Sequence, residues 1–251
     1  MATESLGPDP DGGLGRRART LCLLGLMVAL LGLATLLAPA LAVEAAYLPG
    51  LSLPWWAMVL GFAASEAFVL HIQRRREAQT ISFSEIPLVV GMFLATPLAV
   101  VIGRTVASVV AMLWYRRTPP MKLAFNVALL TGETTLALAV FHAVAPDSGP
   151  AGPATWLAAY AGALAADVLA AAAISAVIAA HDGGVDVRSL LSDAGSLVVP
   201  LIGTTLGLMA VLTLSASATA GWLLAACGML CLLAFRSYAA LATRHLNLER
   251  L

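Results

Sequence analysis

Long apolar runs alternate with short polar or small-residue connections along the whole chain. A transmembrane helix needs about 20 apolar residues to cross the hydrocarbon core of a bilayer, and most of the runs approach this length. The pattern therefore predicts an all-α protein, a polytopic bundle of transmembrane helices. About eight membrane segments are expected, over residues 20–43, 53–72, 84–95, 97–115, 121–144, 154–180, 190–214 and 218–239.

One apolar stretch, residues 82–115, is too long for a single straight crossing. As one helix rising about 1.5 Å per residue it would measure about 50 Å. Pro97 stands inside the stretch, and a proline there breaks or kinks a helix. We therefore predict a hairpin. Its short arm, residues 84–95, dips into the membrane, and residues 97–115 make a full crossing.

The positive charges predict the orientation of the segments. With the hairpin, every basic residue except Arg104 lies in a cytoplasmic connection or terminus, whereas a single crossing would divide them almost evenly between the two sides. The positive-inside rule therefore favours the hairpin, with both termini in the cytoplasm and the bundle in the inner (plasma) membrane. Every outer connection is then short, which excludes a periplasmic ligand-binding domain.

The two ends of the chain are expected to differ from the transmembrane domain, residues 16–239. Residues 1–15, rich in Gly, Pro and Asp, are predicted to be disordered. The apolar run that follows them is longer than the usual ~7–15 residues of a signal peptide, so we expect a retained first span. Residues 240–251 continue a helical pattern as a cytoplasmic juxtamembrane helix, and no Gly or Pro ends it before Leu251. The chain is therefore expected to be truncated before an effector domain.

The juxtamembrane helix carries the spacing of a short coiled coil, which predicts a homodimer through this helix. The residues at the 3-4-3 spacing are Tyr238, Leu241, His245 and Leu248.

The composition excludes an ordinary soluble domain. Apolar residues make up 60% of the chain and charged residues 11%, and the mean hydropathy is +0.91. Soluble domains are about 45–50% apolar and about 25% charged. The 14 basic and 14 acidic residues cancel, so the net charge gives no reason to expect a nucleic-acid partner. The lipid bilayer is the expected partner.

Motifs for catalysis, cofactors and metals are missing from the sequence. It contains no GxxxxGK[ST] loop, no HExxH, no GxSxG elbow and no GxGxxG after a strand. The four histidines are scattered, and the three cysteines, Cys22, Cys227 and Cys231, lie in apolar runs. We therefore expect no enzyme activity, cofactor, metal site or disulfide framework from the residues present.

Four ionisable residues fall at membrane depth, where each charge is a functional hypothesis. Counting about 1.5 Å per residue from the cytoplasmic edge places Arg104, Glu133 and Asp167 in one layer near the midplane, with Glu66 slightly shallower. In a structural interpretation, Arg104 pairs with one acid and another stays protonated. In a functional one, the cluster is a ligand or proton site with an acid left to titrate. Both interpretations stay open.

Other features have simpler interpretations. Glu85 and Asp193 lie near predicted helix starts, where an acid is favoured by the helix dipole, so we interpret them as capping residues. Gly203 and Gly207 have GxxxG spacing, for which packing within one bundle is favoured over a dimer interface.

Several short motifs carry a resemblance to a known family. They are His71-Ile-Gln-Arg-Arg-Arg-Glu-Ala, Phe83-Ser-Glu-Ile-Pro-Leu-Val-Val-Gly, Pro97 with Arg104, Lys122-Leu-Ala-Phe-Asn126, and the exit from Tyr238 to Glu249. The chain resembles the N-terminal polytopic membrane regions of actinobacterial cyclic-di-GMP signalling proteins, whose cytoplasmic parts carry GGDEF and EAL domains. The resemblance implies a membrane sensory or anchoring module that couples a membrane-embedded signal to an attached C-terminal output domain. No GGDEF or EAL sequence is present, so any diguanylate cyclase or phosphodiesterase activity would lie beyond Leu251.

A second resemblance supports a rival function. The Glu-Ile-Pro…Gly…Pro segment that starts at Glu85 is similar, more faintly, to the membrane-embedded substrate-binding components of energy-coupling vitamin transporters. Such an uptake component would bind a small molecule among its spans. It would need transport partners, because this chain has no ATP-binding loop.

Overall fold

Helices form nearly all of the secondary structure in the computed structural model. The structure describes residues 10–42, 46–48, 50–67, 70–74, 77–81, 83–115, 118–146, 152–182 and 198–230. The helices are α1 (Pro10–Leu37), α2 (Trp55–Ala67), α3 (Glu85–Leu94), α4 (Pro97–Val110), α5 (Pro120–Val144), α6 (Pro153–Asp182), α7 (Val198–Ala216) and α8 (Ala220–Leu230). A 3-10 turn, Ala38–Leu41, follows α1, and a π-helical turn, Ala111–Tyr115, follows α4.

Within the described residues, four helical segments are long and apolar enough to cross a membrane. They are Thr20–Leu41, Pro97–Trp114, Pro120–Val144 and Pro153–Ala180. The described parts of α3, α7 and α8 are apolar but shorter. The prediction of a helical architecture is thus confirmed, with segments long and apolar enough to span a membrane, whereas the crossing itself, the count of eight segments and the side of each terminus stay predictions.

The predicted break at Pro97 is present. Helix α3 ends at Leu94, Ala95 and Thr96 are extended, and Pro97 is the first residue of α4. An extended conformation is what a proline imposes on the residue before it. The Thr96 hydroxyl accepts a hydrogen bond from the Ala99 amide at 3.3 Å, so it caps the new helix. The corner therefore comes from local sequence.

The second apolar run ends differently from the prediction. Instead of a helix to residue 72, α2 ends at Ala67, and two short antiparallel strands follow, β1 (Leu70–Arg74) and β2 (Glu77–Ile81). Their register runs from Leu70 opposite Ile81 to Arg74 opposite Glu77. A few apolar residues at the end of a run do not distinguish a helix from a strand by periodicity, which explains the error.

The chain ends also require a correction. Residues 10–15, predicted to be disordered, belong to α1. Pro10 is the first residue of this helix, a position that proline favours because its missing amide hydrogen is not needed there. The rest of the predicted disordered segment, the juxtamembrane helix (residues 240–251) and Asp193 lie outside the described residues.

Three of the predicted outer connections meet at one end of the bundle, which we call the Tyr47 end. The Leu48 and Leu53 amides donate to the Phe93 and Leu94 carbonyls at 2.9 and 2.6 Å, and the Tyr47 hydroxyl donates to the Pro146 carbonyl at 2.8 Å. The connection before α2, the corner between α3 and α4, and the end of α5 are therefore joined. Helices α3 and α5 run towards this end, and α2 and α4 run away from it.

Glycines let neighbouring helices approach closely within the bundle. A Cβ placed on Gly103 of α4 would lie 2.5 Å from the Met58 Cβ of α2, and one on Gly162 of α6 would lie 2.6 Å from the Ala137 carbonyl oxygen of α5. Gly203 and Gly207 of α7 face α3 in the same way. The expectation that the GxxxG pair packs within the bundle is confirmed.

Candidate functional site

An ion pair between α4 and α5 lies in the interior of the bundle. Arg104 Nη2 donates to Glu133 Oε2 at 2.9 Å, and the two residues are only 6% and 7% exposed. Arg104 Nη1 donates to the Thr134 hydroxyl at 3.2 Å, and the guanidinium carbon lies 5.8 Å from the centre of the Phe62 ring on α2. The arginine is thus held by charge, by a hydrogen bond and by an aromatic face.

The sequence of α4 explains why the arginine points inward. Val100, Gly103, Arg104 and Ala107 are buried and follow the spacing of one helical face. On α5, Gly132 and Glu133 are also buried, and a Cβ placed on Gly132 would make an ordinary van der Waals contact with Leu30 of α1 at 3.5 Å. Glycine therefore precedes the charged residue on both helices, but only Gly103 lies at a contact too close for a Cβ.

Asp167 on α6 lies within electrostatic range of this pair. Its carboxyl group interacts electrostatically with Glu85, Glu133 and Arg104, and its Oδ2 atom is buried with no hydrogen-bond partner among the described residues. Of the predicted site residues, Arg104, Glu133 and Asp167 are thus brought close together, with the first two in direct contact. Asp167 is the acid that the arginine does not bind directly.

Glu85 is a member of this group that the sequence analysis missed. It was expected to cap its helix near the membrane edge, but its charge acts on both Glu133 and Asp167. Its Oε1 accepts a hydrogen bond from the Ser84 hydroxyl at 3.2 Å, and its Oε2 is buried and accepts no hydrogen bond from the residues that the structure describes. The buried charge cluster, as we call it below, consists of Arg104, Glu133, Asp167 and Glu85.

The length of α3 is the signal that could have identified Glu85. This helix has ten residues and starts at Glu85, so its first residue lies about 14 Å from its end at Leu94. Arg104 lies seven residues after Pro97, about 10 Å from the same corner. Counting from the corner rather than from the cytoplasmic edge places Glu85 and Arg104 at similar depth.

Glu66 lies on the helix that faces Arg104 with an aromatic ring. It is on α2, one helical turn after Phe62, whose ring contacts Arg104, and its side chain is half-buried. The position is compatible with the slightly different depth expected for it.

The bundle also has an apolar groove of about 570 Å³ between α5 and α6. It is lined by Leu136, Ala161, Leu164, Ala165, Val168, Leu169 and Ala172. In the described part of the chain, no three His, Cys, Asp or Glu side chains are arranged to hold a metal ion. Cys22 and Cys227 are free and exposed.

The charge balance of the cluster limits what it can do chemically. One guanidinium faces three carboxyl groups and forms an ion pair with one of them, Glu133. An ionised carboxylate that is withdrawn from water and lacks an ion-pair partner is costly, so such an acid favours its neutral form or a bound positive charge. Glu85 and Asp167 are half-buried, and each has one buried carboxyl oxygen that accepts no hydrogen bond from the described residues, so the cluster is suited to exchange a proton.

Comparisons with known proteins find no match to this chain, whether with models of protein families, with curated proteins or with solved structures.

Proposed function

We propose that the chain is an integral membrane sensory or anchoring module that passes a signal from the membrane to a C-terminal cytoplasmic output domain. The observation that carries the proposal is the buried charge cluster: an arginine bonded to one acid, with two further acids that have unpartnered oxygens. Ionisable residues inside a membrane bundle are costly, and they are typical of sites where a bundle binds or transfers charge.

The proposed signal is a change in the charge of the cluster. Arg104 and Glu133 form its fixed part, because separating them would leave two buried charges unpaired. Asp167 and Glu85 are the variable part, because no described residue donates a hydrogen bond to Asp167 Oδ2 or Glu85 Oε2. Gain or loss of a proton there would change the packing of α3 and α6 on their neighbours.

The proposed setting is the bacterial inner membrane, with both termini in the cytoplasm. The output domain would follow residue 251 and would make or degrade cyclic di-GMP, as the resemblance of the motifs implies. Two copies would associate through residues 240–251, because a coiled coil there would bring two output domains together. The positive-inside distribution of arginines supports this orientation.

The experiment that tests the function uses the intact protein in its native host. We expect Asp167→Asn to change the cellular level of cyclic di-GMP, with Val168→Ala, an exposed neighbour on the same helix, as the matched control. An unchanged level in Asp167→Asn, with normal membrane expression, would favour the structural interpretation of the cluster. A reporter fused after Leu251 that is active only in the periplasm would contradict the proposed orientation.

The alternative function is the membrane-embedded substrate-binding component of a small-molecule (vitamin-type) transporter. A vitamin-binding site needs polar groups that orient its ligand, and the lining of the groove between α5 and α6 is entirely apolar. The coding sequence that follows residue 251 separates the two functions. An output domain there supports signalling, and a stop codon supports the transport component.

A further inference from the structure

Glu85 connects the buried charge cluster to α7. On one side, its carboxylate lies within electrostatic range of Arg104, Glu133 and Asp167. On the other, its side chain lies against Gly203: a Cβ placed on this glycine would be 2.9 Å from the Glu85 Cβ and 3.1 Å from its Oε2. The carboxyl group of Glu85 therefore interacts through its charge with the other members of the cluster and packs directly against α7.

The contact continues along both helices in parallel. Four residues further on, a Cβ placed on Gly207 would lie 2.8 Å from the Val89 Cβ and 3.2 Å from the Ile86 carbonyl oxygen. Over one helical turn, α3 and α7 are thus packed so closely that only glycine fits at the contact positions of α7. Glu85 is half-buried, but its Oε2 atom, which lies against Gly203, is shielded from solvent, so hydrating an ionised carboxylate there would require a shift of one helix.

A second unsatisfied group lies on α7 at this level. Thr204, next to Gly203, is completely buried, and its hydroxyl has no hydrogen-bond partner among the described residues. By contrast, Thr205 and Thr213 on the same helix each donate to the carbonyl four residues earlier, at 2.7 Å. An unused buried hydroxyl is costly, so the buried side of α7 is not fully satisfied in this arrangement.

The charges around Glu85 favour its neutral form in the packed arrangement. Helix α4 supplies Arg104, which is bound to Glu133 of α5, and α6 supplies a further acid, Asp167. Helix α2 carries Glu66, and the described residues of α7 include no charged side chain. Ionising Glu85 would therefore add a negative charge beside two acids, with one arginine already engaged.

We propose that Glu85 is protonated when α3 and α7 pack as observed, and that its deprotonation separates them, so that the charge of the cluster controls the position of α7. This inference rests on the proposed function and assigns its signal to a proton. Through the short turn at residues 217–219, α7 leads to α8. A shift of α7 by the ~1–2 Å that is typical of switching helices would therefore reach the helix that follows.

The test follows α7 directly by fluorine NMR on the full chain in lipid nanodiscs. In a background with Cys22, Cys227 and Cys231 replaced by serine, a trifluoromethyl probe is attached to Ile202→Cys, an exposed position beside Gly203. We expect two resonances whose ratio changes with pH, by up to about tenfold per pH unit for a single proton. Glu85→Gln should retain the low-pH resonance at every pH, and Gly203→Ala should shift the resonance at every pH.

The matched control carries the same probe at Val28→Cys. Val28 is an exposed residue of α1, and this helix packs on α5 and α6, away from the α3–α7 contact. Its spectrum should not follow the titration. A ratio at Ile202 that is independent of pH, or a titration that Asp167→Asn abolishes and Glu85→Gln does not, would overturn the role of Glu85. The latter result would leave the proposed function intact. Loss of the titration in Glu85→Gln, with no change in cellular output for Asp167→Asn, would support the role of Glu85 and contradict the proposed function.

A measurement on the chain without substitutions at the site guards against misfolded variants. Dicyclohexylcarbodiimide adds to protonated carboxyl groups in apolar surroundings, and mass spectrometry locates the adduct. We expect labelling of Glu85 that declines as the pH rises, with Glu133 unlabelled because it is paired with Arg104. An unlabelled Glu85 at low pH, alongside labelled Asp167, would contradict the proposal.

Discussion

Helices α1 and α5 are both long apolar runs, yet they occupy different environments. In the most apolar 18-residue stretch of each helix, 11% of the residues are buried in α1, against 56% in α5. Helix α5 carries Glu133 and fully buried residues such as Leu138 and Phe141, whereas α1 contributes Leu30 to a small separate cluster with residues of α5 and α6. Hydropathy identified both helices as spans, and the difference shows that it does not separate lipid-facing helices from those that carry the core.

The largest expected effect on stability comes from breaking the buried Arg104–Glu133 ion pair, which has no counterpart on α1. Arg104→Leu leaves Glu133 buried without its partner, and we expect a loss of about 3–5 kcal/mol of unfolding free energy. Reversible unfolding of the full chain in mixed micelles measures it. Replacing both residues by leucine should recover most of the loss, because no lone charge remains. Equal stability of Arg104→Leu and the parent would show that the ion pair does not stabilise the bundle.

Glycine positions provide the next comparison between the two regions. Gly103→Ala puts a Cβ 2.5 Å from the Met58 Cβ, so we expect overpacking to cost about 1–3 kcal/mol in the same unfolding measurement. Gly25 and Gly32 on α1 have nothing within 4 Å of an added Cβ. Gly25→Ala should instead stabilise the helix by up to about 1 kcal/mol. Losses of equal size at both positions would contradict the assignment of α1 to the periphery.

A smaller effect is expected from the hydrogen bond that holds the arginine. Thr134→Val removes the acceptor of Arg104 Nη1 in the core and should cost about 1 kcal/mol of unfolding free energy. The control is Thr213→Val on α7, a partly exposed position whose hydroxyl donates to the Met209 carbonyl of its own helix. If the two changes destabilise the chain equally, the Arg104–Thr134 bond has no special weight.

The smallest effect is expected on the exposed face of α1. Leu31 is 45% exposed, and Leu31→Ala should change the unfolding free energy by no more than about 0.5 kcal/mol. Leu138→Ala on α5, at a position with no exposure, should cost about 2–5 kcal/mol. A large loss at Leu31 would show that α1 packs on something further in solution.

Features that depend on local sequence were predictable. Pro97 determines the corner between α3 and α4, and the residue before it is extended because of the proline ring. The depth count from the cytoplasmic edge placed Arg104 and Glu133 in one layer, and the two are bonded. This count succeeds because a helix rises by a constant amount per residue.

Features that depend on the depth in the bundle at which a helix starts could not be predicted from local sequence. Glu85 was assigned to the membrane edge, because the start of α3 was taken to lie at the surface rather than in the interior. The strands Leu70–Arg74 and Glu77–Ile81 were missed because pairing between two short segments leaves no periodic signal in either one alone. Which acid would stay outside the ion pair also depended on helix packing, which no single run of residues encodes.

The hydrogen bonds at the Tyr47 end have a mechanical consequence. The carbonyls of Phe93 and Leu94 and that of Pro146 are tied to the segment before α2, so the helices are clamped together there. Because these hydrogen bonds hold the helices at the Tyr47 end, the helices can separate only at the opposite end. Glu85 and Gly203 lie on the unfastened side of α3, where a small displacement is amplified with distance from the clamp.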